Sequence, residues 1–310
     1  MEIKINNKLS KDVEELIKYN FNDIVVIQDN TIILDWHKEK DKVNFIFSCP
    51  KSILSLLIGI LLENNKNIKL DDPINNHITL LKSFGQKYDK ITIRNLLSMT
   101  SGIEWSEMEK SNFDYNKMVK NNWLEYVTSK EVISSKIGQF NYCDGNSLLL
   151  LAIITEYSGI SLHEYGKQYL LKPLGIEKTK WTEQNGIPMG GTGLHMLSLD
   201  LAKIGNLIIN NGIHENVKII DPKWIKAMSS IQSNGYPERF GNYGLHWWIS
   251  TKELNKNIDM FFALGAHGQY LFIIPEKKAS ICIRKKVGEM NEMFFPVIIE
   301  YLHKKIIPNI

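Results

Sequence analysis

The chain has 310 residues, of which 44% are hydrophobic and 23% charged, close to soluble globular averages, which excludes a disordered tail, a collagen-like fibre and a mucin-like stalk. Thirty-seven basic against 34 acidic side chains leave a formal charge of +3, and only Arg94, Arg239 and Arg284 are arginines, so the clustered basic face that nucleic acid requires is missing. Cys49, Cys143 and Cys282 form no CxxC pair and are too few to staple a chain of this length, which excludes a zinc ribbon, a dithiol centre and a disulfide scaffold and fits a reducing compartment.

The first residues lack the apolar core of an export signal, and the longest apolar run, residues 53–62, is about half of the ~20 residues that span a bilayer. The expectation is a soluble, cytoplasmic protein with no membrane partner. Residues 11–19 carry helix formers. Two β-branched runs, 23–28 and 31–36, flank Asp29-Asn30 and read as a hairpin. Pro50 then opens a strong helix over 52–64, since proline suits the first turn, where its missing N–H would be unpaired anyway. Asp71-Asp72-Pro73 interrupts the pattern, and 92–99 reads as a short helix closed by Gly102. A very apolar helix over 147–157 stops at Gly159, and Ser161-Leu162-His163-Glu164 is a capping box for a helix that ends before Pro173. A further helix covers 199–210, after which 260–264, 270–274 and 279–284 read as strands and 293–303 as a closing helix. Strands at both ends with helices between them argue an α+β fold whose ends meet in one sheet.

Three stretches could carry chemistry. In Ser48-Cys49-Pro50-Lys51, a serine at a helix mouth has a lysine one turn on, sharing its face. The helix N-terminus would stabilise negative charge at the serine oxygen, and a desolvated lysine could take its proton. By spacing alone the pair reads more readily as a capping serine and a solvated lysine; the preceding strand, the internal proline and the buried helix raise the chemical reading. Tyr142-Cys143-Asp144-Gly145-Asn146 stands ahead of the most apolar helix and can present Tyr142 as a base, though a packed tyrosine fits as well and Asp144 could cap the helix. Leu264-Gly265-Ala266-His267-Gly268-Gln269-Tyr270 lies between two strands, where glycine marks a bulge or a ligand's approach to the backbone. There His267 could bind a carboxylate, shuttle a proton or serve structure only. No His-Glu-x-x-His or other paired ligand spacing and no Gly-x-x-x-x-Gly-Lys loop occurs, so no metal, nucleotide or other cofactor is expected.

In that order the three stretches resemble the serine β-lactamase and penicillin-binding-protein superfamily, in particular the branch with class C β-lactamases, D-alanyl-D-alanine carboxypeptidases, β-lactamase-like esterases and 6-aminohexanoate oligomer hydrolases. Ile68-Lys69-Leu70-Asp71-Asp72-Pro73, Leu96-Leu97-Ser98-Met99-Thr100-Ser101-Gly102, Lys172-Pro173-Leu174-Gly175, Gly190-Gly191-Thr192-Gly193-Leu194 and Tyr243-Gly244-Leu245-His246-Trp247-Trp248 extend the likeness over roughly residues 20 to 305. The resemblance implies an antiparallel sheet flanked by helices, an α/β lobe from 1–65 and 240–310, a mainly helical lobe from 66–239 and an active site at their seam. It implies Ser48 as nucleophile, Lys51 as its proton-transfer partner, Tyr142 as a general base, and the N–H groups of Ser48 and Gln269 as an oxyanion hole. Asp144, His267, Gly268 and Trp247 are expected to contact substrate, with Trp181 and Trp248 as further candidates for the pocket wall.

Two positions depart from the family pattern. Asp144 stands where the family usually has asparagine, replacing an amide donor with an acceptor that would repel a substrate carbonyl unless protonated or salt-bridged, for instance to Lys51. Ala266-His267-Gly268 replaces Lys-Thr-Gly, and a histidine charged only near or below pH ~6.5 is a weaker partner for a carboxylate. The expectation is therefore a serine hydrolase acting through an acyl-enzyme on a small ester or amide. The alternatives are a class C-type β-lactamase or D-alanyl-D-alanine carboxypeptidase, and a penicillin-binding or sensor protein that does not turn over.

Overall fold

Asp29 and Asn30 both adopt left-handed backbone angles, φ 46° and 63°, as a two-residue hairpin turn with the right-handed strand twist requires. The structure is a computed structural model that describes residues 1–13, 21–105, 122–184, 187–255, 258–285 and 294–310. The expected hairpin is the pair β2 (Phe21–Gln28) and β3 (Thr31–His37). The sheet also takes β1 (Glu2–Ile3), β4 (Ser233–Tyr236), β5 (Gly241–Tyr243), β6 (Trp248–Ile249), β7 (Phe261–Gly265), β8 (Gln269–Ile274) and β9 (Ala279–Lys285). Its order is β1-β3-β2-β9-β8-β7-β6-β5-β4, so the last long strand lies beside the first and the two ends of the sequence close one sheet. The sheet is mixed rather than purely antiparallel, because β1 pairs with β3 in parallel.

Along β8 the side chains alternate: Leu271 and Ile273 join the core under the helices, while Tyr270, Phe272 and Ile274 join a second core on the other face. Both faces are covered, as the period of two predicts for a strand apolar on both sides. The first described helix is α1 (Asn7–Asp12), and the rest of the expected 11–19 helix lies outside the described residues apart from Val13. Helix α2 (Pro50–Asn64) is buried without a break from Pro50 to Leu61, the central rod of the molecule.

Short α3 (Ile93–Leu97) opens on a Thr92/Asn95 capping box. It closes at Met99, φ 58°, ahead of the expected Gly102, whose own left-handed φ of 74° serves a tight approach to the Ile133 carbonyl. Helix α4 (Asp144–Ser158) begins earlier than expected and ends at Gly159, φ 69°. The Ser161 hydroxyl accepts the Glu164 N–H at 3.2 Å, but the Glu164 carboxylate turns to Lys167. That helix continues past its expected end through a wide turn, Lys167–Leu171, and a tight one, Lys172–Leu174. Pro173 is accommodated because it starts the tight turn, where no N–H is needed.

Helix α5 (Ser198–Ile209) packs on the sheet. Ser280 of β9 donates to the Ala202 carbonyl at 2.8 Å, and a Cβ on Gly205 would stand 2.1 Å from that hydroxyl. The described C-terminal helix, α6, is Phe294–Tyr301. Among the described residues no single helix is long and apolar enough to cross a membrane.

Candidate functional site

The turn that ends in α2 brings the first group into place. Phe47 has φ 50°, a conformation a bulky residue adopts only when its surroundings impose it, and Ser48 follows half-buried at the helix mouth. Lys51 is 1% exposed, and its ammonium donates to the Ser48 hydroxyl at 3.2 Å and to the Gly191 carbonyl at 3.4 Å. It forms an ion pair with the Asp144 carboxylate and stands 4.8 Å from the centre of the Tyr142 ring. Serine, lysine and tyrosine, separated by up to 94 positions in sequence, therefore meet around one nitrogen.

Asp144 reaches this point because α4 starts with it. A carboxylate in the first turn is favoured by the helix N-terminus, and the open face of Gly191 lets α4 come close, since a Cβ there would be 2.9 Å from Asp144 Oδ1 and 2.7 Å from Ser147 Oγ. The aspartate in place of the family asparagine is thus the salt-bridged case. Asn146 is buried and donates its amide to the Met99 sulfur at 3.2 Å, so it does not replace the missing asparagine donor. Tyr142 is held by its aromatic neighbours, stacked on Trp248 at 5.8 Å between centroids and edge-on to Tyr243 at 6.2 Å.

The third wall is the turn between β7 and β8. Gly265 and Gln269 pair across it, and His267 and Gly268 both take left-handed φ, 58° and 75°, which explains the glycine. A Cβ on Gly265 would lie 2.4 Å from the Ile46 carbonyl, and the Cys49 thiol donates to the Gln269 carbonyl at 3.5 Å. These contacts press the start of β8 against the residues on either side of Ser48. Among the described residues the Ser48 N–H has no acceptor. The Gln269 side chain is turned inward, donating to the carbonyls of His267 and Lys285 at 3.0 and 3.1 Å. His267 is half-buried with its ring 4.7 Å from that of Phe47, and its Nδ1 is unpartnered among the described residues.

The tryptophans are distributed differently from the expectation. Trp247, just ahead of β6, is fully buried in the core under the helices, edge-on to Phe261 at 5.4 Å, and so is not a pocket wall. Its neighbour Trp248, the first residue of β6, joins the core on the opposite face of the sheet and is the tryptophan beside Tyr142. Trp181 is buried and donates to the Thr192 carbonyl at 2.7 Å.

Two clusters escaped the sequence reading. His246 is buried with φ 61°; its ring contacts the Leu97 carbonyl and Ser147 Oγ at 2.9 and 3.1 Å, and its carbonyl accepts the Ser52 hydroxyl at 2.7 Å. It stands in Tyr243-Gly244-Leu245-His246-Trp247-Trp248, where nothing local marks its left-handed angle. The second cluster gathers Asp23, His37 and Asp41 within 4.8 Å, a spacing that would suit a metal. Arg284 supplies the cation instead, bonding Asp23 Oδ2 at 2.7 and 2.9 Å and Asp41 at 2.8 Å. Burial pulls the His37 pKa down, but its bonds to Asp23 and Asp35, both 2.8 Å, outweigh that and raise it from 6.5 to about 9. The network ties the segment that leads to Ser48 onto β2 and β9.

Comparison with known proteins gives the family and the fold. The family described as "Beta-lactamase" matches residues 24–284. A 6-aminohexanoate-dimer hydrolase of Paenarthrobacter ureafaciens is 20% identical over 297 residues, covering 87% of this chain and 74% of the relative. Two solved structures share the fold. One is an octameric penicillin-binding protein homologue from Pyrococcus abyssi, with a TM-score of 0.74, 21% identity, and coverage of 96% of this chain and 76% of that one. The other is EstCE1, a hydrolase with promiscuous acyltransferase activity, with a TM-score of 0.78, 14% identity, and coverage of 96% and 97%.

Proposed function

The chain belongs to the beta-lactamase family, and from that premise we propose that it is a serine hydrolase that forms an acyl-enzyme on Ser48 from a small ester or amide. The observation that carries the reading is the buried Lys51 ammonium, 3.2 Å from the Ser48 hydroxyl and 4.8 Å from the Tyr142 ring. Ser48 Oγ attacks the substrate carbonyl, and its proton passes to Tyr142, which acts as a phenolate beside the Lys51 ammonium and returns the proton to the leaving group. The developing oxyanion is held by the N–H groups of Ser48 and Gln269, each worth ~3 kcal/mol in sites of this kind. Water, deprotonated by the same phenolate, then releases the acyl group.

Asp144 and the β7–β8 turn bear on the substrate class. Asp144 already balances the charge of Lys51 and presents no amide donor, while His267 occupies the turn in place of a fixed cation. A substrate carboxylate of the β-lactam or D-alanyl-D-alanine kind would find little to hold it, whereas a neutral ester or amide needs no such partner. The test is a panel of nitrophenyl esters, short amides and a chromogenic cephalosporin, run on the wild type and Ser48→Ala. Ester or amide turnover abolished in Ser48→Ala supports the proposal. Rapid cephalosporin turnover would make it a lactamase, and a stable Ser48 adduct without turnover a sensor.

A further inference from the structure

The four polar atoms of His246 reach three elements of the site. Its backbone N–H and its ring Nδ1 both meet the Leu97 carbonyl at the end of α3, at 2.7 and 2.9 Å. Because a carbonyl only accepts, Nδ1 carries the hydrogen, and the neutral ring leaves Nε2 as an acceptor. The hydroxyl at 3.1 Å from Nε2 is Ser147 of α4, which therefore donates. The His246 carbonyl accepts from Ser52, the neighbour of Lys51 on α2, at 2.7 Å.

We infer that His246 is a positioning residue of the active site, a neutral clasp that fixes the first turns of α2 and α4 against each other and so sets how Asp144 meets Lys51 beside Ser48. This inference rests on the proposed hydrolase reading and deepens it. Ser147 is one helical turn from Asp144, on the same face, and its hydroxyl fills the space that the absent side chain of Gly191 leaves open; the Gly191 carbonyl is itself a partner of Lys51. Movement of Ser147 therefore reaches two of the groups around the lysine. The backbone angle is also uncommon, since φ 61° is a conformation that glycine adopts freely and other residues adopt at a cost.

A charged imidazole here would defeat the arrangement. The titratable groups facing the ring are Lys51 from α2, with Asp144 of α4 behind it, and Tyr243 from the same turn, 6.4 Å between ring centroids. Burial first, and then the charge of Lys51, push the His246 pKa down to about 3. The ring stays neutral and adds no second positive charge beside the lysine.

The test compares His246→Asn, which tolerates the left-handed angle and keeps a donor for Leu97, with Ser147→Ala, which removes the same hydrogen bond from the other end. Both are expected to lower kcat on the best ester by on the order of 10- to 100-fold, to leave KM nearly unchanged, and to shift the pH profile of kcat; the double variant is expected to be no worse than either single one. Ring nitrogen NMR of the wild type is expected to show His246 as the Nδ1–H tautomer, unchanged between about pH 5 and pH 9. Folded variants with the wild-type kcat and pH profile would overturn the inference, as would a His246 that titrates in that range. A wild type whose Ser48 a fluorophosphonate does not label would instead overturn the hydrolase reading, an outcome that the NMR result does not depend on.

Discussion

Replacing Asp144 by asparagine probes the most unusual feature of the site. The change restores the amide usual in the family and removes the counter-charge of a lysine that is 1% exposed, while the Asp144 side chain is itself only 12% exposed. At contact distance and an effective dielectric of about 20, the attraction given up is about 5 kcal/mol. An asparagine oxygen recovers a charge–dipole bond of about 2 kcal/mol, and Lys51 keeps its donations to Ser48 and Gly191. The expected net loss is about 3 kcal/mol, at the lower edge of what breaking a buried pair costs. Urea denaturation followed by circular dichroism measures it as a fall in midpoint at constant slope. The same variant gains an amide that can donate to a substrate carbonyl, so acylation by a cephalosporin, followed by stopped flow, is expected to speed up relative to ester acylation. Stability within about 0.5 kcal/mol of wild type would refute the buried-pair argument, and an unchanged preference would refute the role given to Asp144 in choosing substrates.

Other outcomes follow from the same geometry. His37 has a folded pKa of about 9 against 6.5 unfolded; its stabilisation is complete below pH 6.5 and fades as pH rises through about 9. After a discount for partial exposure this is worth about 2 kcal/mol, and His37→Asn is expected to remove that part of the pH dependence of unfolding. Gly205→Ala places a Cβ 2.1 Å from Ser280 Oγ and 2.9 Å from Leu271, so overpacking of about 2 kcal/mol should exceed the helical gain of alanine, read by thermal unfolding. Burial drives the Cys49 and Cys282 thiol pKa values up, against the lowering effect of nearby cations, so neither should react with iodoacetamide at pH 8 until the protein is unfolded, as peptide mass mapping would show.

What the sequence disclosed, it disclosed through local chemistry. Asp29-Asn30 named its own hairpin because few residues accept two left-handed angles in succession, and Pro50 marked the mouth of α2 because its missing N–H costs nothing there. Ser48, Lys51 and Tyr142 were legible as separate candidates, and their order supplied the resemblance; their meeting around one nitrogen depends on α4 packing against α2, which no local pattern records. Trp247 and Trp248 illustrate the limit. Adjacent and chemically alike, they point to opposite faces, and only the register of β6 decides which one reaches Tyr142. His246 and the Asp23–His37–Arg284–Asp41 network were illegible for the same reason: each partner looks like an ordinary polar residue until distant segments bring them together. Pro173 misled because a proline rule written for α-helices does not apply to a tight turn it can begin.

The proposed reaction passes through a covalent bond at one oxygen. Quenching the wild-type enzyme in acid within milliseconds of mixing with a slowly deacylating ester, then mapping peptides by mass spectrometry, should find the acyl group on Ser48, and Lys51→Ala should abolish its accumulation. An enzyme that turns the ester over with no acylated Ser48 at any time, or that acylates another residue, would contradict the account.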